Sequence, residues 1–149
     1  MARLRDLPLV DAAVPATATF AEAVGRLFAA SVPALAVLDE EGSLVGVFSE
    51  RDALRALFPE YLGELRHTAF LRDDPAALDR RAEAVRNVPV ARFARALEPL
   101  EAEESETHAA ERLLHSGEHA LPVCEGRRFL GMLSIAALCH TRLERRERG

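Results

Sequence analysis

The chain has 149 residues, 49% of them apolar and 29% charged, with a formal net charge of −5. That length fits one compact domain or two half-size units sharing a core, and the acidic balance disfavours both nucleic acid and an anionic membrane surface as partners. All 19 basic residues are arginine, which excludes the phosphate-loop lysine, the Schiff-base lysine and the kinase-type lysine together.

At the N-terminus, Asp6, Asp11 and two prolines interrupt any apolar run, so no signal peptide is expected. A short apolar stretch at Val10–Val14 predicts a strand. Thr19 with Glu22 has the spacing of a capping box, and Ala23, Leu27 and Ala30 then recur at helical spacing. Two apolar runs flank Asp39, Glu40, Glu41 and Gly42, which predicts a β-hairpin, and a second helix opens at Ser49. The segment from Pro59 to Asn87 exceeds an ordinary connector and reads as a helical linker. One short helix is expected from Pro59 through Tyr61, Leu62 and Leu65, and another after Asp74 and Pro75 through Leu78, Ala82 and Val85.

The rest of the chain repeats what came before. Thr19–Val37 lies over Ser105–Val123 without a gap, pairing Ala23 with Ala109, Arg26 with Arg112, Leu27 with Leu113 and Val37 with Val123. The same alignment pairs Leu4 with Val90 and Leu7 with Phe93. After a hairpin turn one residue shorter, around Glu125 and Gly126, Gly46 meets Gly131 and Ser49 meets Ser134. Ala96–Leu100 stands in for the first strand. The predicted fold is mixed α/β (α+β): two pseudo-symmetric βαββα repeats, residues 1–58 and 88–149, joined by the linker 59–87. Neither repeat alone can bury both faces of its sheet, so the two are expected to pack together.

The stretch from Val32 to Leu57, with an apolar strand, an acidic-glycine turn and then Gly-apolar-apolar-Ser-x-x-Asp opening a helix, resembles the most recognisable part of a cystathionine-β-synthase-type (CBS) domain. The second copy keeps the strand, the turn, Gly131 and Ser134 but has Ala137 in place of the acidic residue. The resemblance covers both repeats and not the linker. It implies a stand-alone tandem CBS pair of the Bateman type: a regulatory module, not an enzyme, that binds an adenosine-containing ligand such as AMP, ADP or ATP and requires no cofactor. It further implies a homodimer, with an unidentified effector protein regulated in trans.

By the same resemblance, Ser49 would approach phosphate, Asp52 would accept hydrogen bonds from ribose hydroxyls, and Ala12, Val32, Pro33 and Ala34 would hold adenine. The residues suit that chemistry: a carboxylate can accept both hydroxyls of a vicinal diol, a helix N-terminus suits an anion, and Arg51 and Arg55 add positive charge. Ser49 and Asp52 are equally a Ser-x-x-Asp capping pair, which needs no ligand. In the second cleft Ser134 lacks an acidic partner, and His119 lies at the cleft edge.

His108, His115, His119, Cys124 and Cys139 show no metal-binding spacing, so no metal is expected. Two cysteines are too few for a disulfide framework, and a cytoplasmic location follows. The competing reading is a ligand-free homodimerisation or protein-interaction module whose contact surface is the linker.

Overall fold

The computed structural model describes residues 2–58 and 75–148, with side chains as far as Arg145. The first repeat runs β1 (Ala13–Pro15), α1 (Phe20–Ala30), β2 (Ala34–Leu38), β3 (Leu44–Ser49) and α2 (Glu50–Leu57). Helix α3 (Pro75–Arg86) leads to the second: β4 (Leu100–Glu101), α4 (Glu106–Ser116), β5 (Ala120–Glu125), β6 (Arg128–Ser134) and α5 (Ile135–Arg148). The order β, α, β, β, α predicted for each copy is the order found. The linker helix expected from Pro59 lies outside the described residues.

Each repeat builds a three-stranded sheet, β1-β2-β3 or β4-β5-β6. The first strand is parallel to the second, with Ala13 opposite Ala36 and Leu100 opposite Val123, and the hairpin is antiparallel, with Ala34 opposite Ser49 and Ala120 opposite Ser134. The first hairpin turns as its sequence dictates: Asp39 Oδ1 accepts from the backbone N–H groups of Glu41 and Ser43, both at 2.9 Å, and Gly42 takes the left-handed conformation (φ 80°).

Helix α1 starts on Thr19, whose Oγ1 accepts from the Glu22 N–H at 3.1 Å; that half of the expected capping box forms. Its buried stripe is Phe20, Ala23 and Leu27, whereas Ala30 is exposed in the last turn. The helix ends on Ser31 in the left-handed region (φ 52°), and α4 ends on its counterpart Gly117 (φ 74°), where glycine carries no steric cost. Asparagine or glycine would be the usual choice at Ser31.

The first strands begin later than the apolar pattern predicts, because the residues just before them pair with the other repeat. Val10 exchanges two backbone hydrogen bonds with Met132 on β6 (3.0 and 2.8 Å), and Arg95 exchanges two with Val47 on β3 (2.9 Å each). Both lead-in segments cross. Leu4 and Leu7 pack with Leu100, Leu121, Val123 and Leu133 in the second repeat's core, whereas Val90 is buried with Phe20, Leu35 and Phe48 in the first. Phe93 tilts against Phe20 with ring centroids 4.9 Å apart. At about 1.5–3 kcal/mol for each fully buried large side chain, this exchange fastens the two repeats together.

The crossings explain the glycine shared by β3 and β6. A Cβ on Gly46 would stand 2.8 Å from the Arg95 carbonyl oxygen, and one on Gly131 would stand 2.6 Å from Leu9 Cβ. Only glycine lets the crossing segment lie this close.

Candidate functional site

Ser49, the last residue of β3, caps α2. Its Oγ accepts from the Asp52 N–H at 3.1 Å, and Asp52 Oδ2 in return accepts from the Ser49 N–H at 2.8 Å and from the Ser49 hydroxyl at 2.9 Å. Both residues are buried. The capping half of the sequence expectation is therefore realised in full. The second oxygen, Asp52 Oδ1, accepts from Arg95 Nε at 2.8 Å.

Arg95 belongs to the crossing segment, where β3 fixes its backbone. Its two terminal nitrogens donate to both carboxylate oxygens of Glu118, at 2.6 and 3.2 Å, in the turn after α4. One guanidinium thus ties an acid of the first repeat to an acid of the second. Charge-assisted, partly bidentate bonds of this kind are among the strongest available to side chains. The carboxylates hold the guanidinium charged more firmly than in a free arginine: the hydrogen bond to Glu118 is the chief cause, burial opposes it, and Asp52 adds to it.

Beside this bridge lies a cavity of about 570 Å³, within the range of small-ligand sites. Pro33 and Ala34 form one side; the first turns of α2, with Ser49, Glu50, Arg51, Leu54 and Arg55, form another; Arg95 and the turn from Ser116 to His119 close it from the second repeat. Arg51, Arg55, Arg95 and His119 line it together with the acidic Glu50 and Glu118.

The structure thus brings together Ser49, Arg51, Arg55, Pro33 and Ala34 among the residues singled out in the sequence. His119, expected at the second cleft, lines this same cavity, because the turn after α4 reaches across to α2. Asp52 stands behind Arg95 and is not part of the wall. Ala12 is fully buried, its carbonyl accepting from Ala36 N–H at 2.9 Å, and half-buried Val32 packs against the first core. Ser134 caps α5 by accepting from the Ala137 N–H at 3.0 Å.

Arg95, Glu118 and Leu54 were not singled out in the sequence. A signal for the first two was present in the repeat: Arg95 aligns with Leu9, and Glu118 with Val32. Two apolar positions of one copy become opposite charges in the other, and Asp52 aligns with Ala137. All three members of the ionic bridge therefore have apolar counterparts at the pseudo-symmetric place, where Leu9 and Ala137 pack against the second core.

The sequence model of the CBS domain family matches residues 4–59. Among solved structures, the chain is similar to CBSX2 in complex with AMP (18% identity over 98% of this chain and 99% of that one, TM-score 0.72). It is similar too to a CBS domain protein from Pyrobaculum aerophilum complexed with AMP (22%, 92% and 90%, 0.68) and to a CBS domain-containing protein of unknown function from Kribbella flavida (20%, 96% and 99%, 0.73). No curated protein sequence matches. Among the described residues no helix is long and apolar enough to cross a membrane. Residues 4–59 thus match the CBS domain family, and the chain has the fold of a tandem CBS-domain pair.

Proposed function

We propose that this protein is a non-catalytic regulatory module that binds an adenosine nucleotide in the cavity between α2 and the turn Ser116–His119. The observation that carries this reading is the cavity itself: a nucleotide-sized space at a capped helix N-terminus, with Arg51, Arg55, Arg95 and His119 on its wall. Helix N-termini and guanidinium groups both favour phosphate. AMP in two solved structures of the same fold supports the choice of ligand. Because the walls come from both repeats, a bound ligand bears on their relative position, which a separate effector protein can read. A cytoplasmic setting suits the free thiols of Cys124 and Cys139.

Thermal unfolding with AMP, ADP, ATP, S-adenosylmethionine and cyclic di-AMP tests the reading. A ligand at 100 times its dissociation constant adds about 2.7 kcal/mol to native stability. The midpoint should rise with at least one of the first three ligands, and less so in Arg51→Glu. No rise at millimolar concentration of any of them would refute it.

A homodimer is the second part of the proposal. Phe28 on α1 and Leu114 on α4 occupy equivalent places in the two repeats and are 88% and 81% exposed. Two large apolar side chains related by the internal pseudo-symmetry suit a symmetric interface with a second copy. Sedimentation of the wild type as a dimer, and of Phe28→Glu/Leu114→Glu as a monomer, is the expected result.

A further inference from the structure

We infer that Arg95 is a specificity-determining latch on the cavity: it keeps Asp52 from a neutral nucleoside and yields it to a ligand that also carries an anionic group. This inference rests on the nucleotide-binding reading above and adds to it which ligands the site accepts.

The acceptor inventory of Asp52 sets the argument. Oδ2 already accepts two hydrogen bonds from Ser49, and Oδ1 accepts one from Arg95 Nε. A carboxylate offers about four acceptor positions, so one remains, and a vicinal diol donates two hydrogen bonds. Arg95 lines the cavity, whereas Asp52 lies behind it, 8% exposed. A diol that donates both hydroxyls to Asp52 must therefore take the place of Arg95 Nε.

Displacing Arg95 leaves a partly buried guanidinium short of one anion. A nucleoside brings nothing to replace that anion. A phosphate does, and the cavity wall already gathers Arg51 and Arg55 beside Arg95. The exchange of Asp52 for phosphate keeps the guanidinium paired, and the hydrogen bonds to Glu118 can hold its head at the turn of the second repeat while Nε lets go. Arg95 can swing without unfolding anything, since its backbone is fixed separately by the two hydrogen bonds to Val47. The device is local to one cleft, because the pseudo-symmetric positions are Leu9, Val32 and Ala137.

Titration calorimetry with adenosine and with AMP, on the wild type, Arg95→Gln and Glu118→Gln, tests the latch. The wild type should prefer AMP. In Arg95→Gln, adenosine should bind about tenfold more tightly than to the wild type, as expected for freeing one charge-assisted bond, and the preference for AMP should shrink by at least as much. Glu118→Gln, which leaves Arg95 short of one anion and keeps a side chain of the same shape, should raise the preference for AMP over adenosine; it decides the matter if Arg95→Gln proves unfolded by circular dichroism. Adenosine binding that is unchanged or weaker in Arg95→Gln, with AMP still bound by the wild type, would overturn the latch alone. Failure of the wild type to bind adenosine, AMP, ADP or ATP at all would overturn both the latch and the reading beneath it.

Discussion

Leu4 and Val90 hold equivalent places in the two repeats, and each is fully buried in the core of the other repeat. The Leu4 N–H donates to the Glu104 carbonyl at 3.2 Å, and the Val90 N–H to the Ala18 carbonyl at 2.7 Å. The two repeats are thus laced together by exchanged segments rather than merely stacked. The same lacing carries Arg95 to the mouth of a cavity formed largely by the other repeat.

Leu4→Ala should therefore destabilise the second repeat although it lies at the start of the first. Removal of a fully buried leucine side chain costs about 2–5 kcal/mol. Hydrogen exchange should quicken most around Leu100–Ala102 and Leu121–Cys124. Quickening confined to residues of the first repeat would contradict the exchange.

Gly46→Ala should damage binding from a distance. The added Cβ would meet the backbone oxygen of Arg95, which has no flexible end to yield, so the crossing segment must shift. An overpacked site of this kind costs about 1–3 kcal/mol. Weaker AMP binding should accompany the lower unfolding midpoint, since the same segment positions Arg95. The control Gly25→Ala meets nothing within 4 Å and should leave binding intact.

The cysteines should part company. Burial, with a smaller contribution from Glu101, pushes the Cys124 thiol up from 9.0 to about 11, whereas Cys139 is exposed. The thiolate is the reactive form, so iodoacetamide at pH 8 should label Cys139 and spare Cys124 until the protein unfolds. The unfolded Cys124 thiol loses its proton near pH 9 and the folded one only near 11. Its contribution to stability is then full below pH 9 and is lost as pH rises through 11. Denaturant titrations of the wild type and of Cys124→Ala across that interval measure the difference; parallel pH profiles would contradict it.

Much of the architecture was legible because it is written twice. Helical spacing at Ala23 and Leu27 recurs at Ala109 and Leu113, and Asp39 to Gly42 carries its own turn chemistry, so element order needs only local physics. The crossing of the lead-in segments was not legible, since apolar residues such as Leu4 and Val90 announce burial without saying against what. The same limit applied at the site. Ser49 and Asp52 are visible as a cap because their partners lie within one helical turn. Arg95 acts on Asp52 across two repeats, and only the substitutions of Leu9 by Arg95 and Val32 by Glu118 between the copies hint at the pairing. Nor was the place of His119 on the cavity beside α2 legible, because nothing local says which way the turn after α4 faces.

The central claim is that an adenosine nucleotide occupies the cavity between α2 and the turn after α4, and a two-dimensional amide NMR titration with AMP tests it most directly. The account predicts saturable shifts concentrated at Glu50, Arg51, Gly117 and His119, with the region around Ser134 and Ile135 moving less. No saturable shift at millimolar AMP, ADP or ATP, or shifts centred on Ser134, would contradict it.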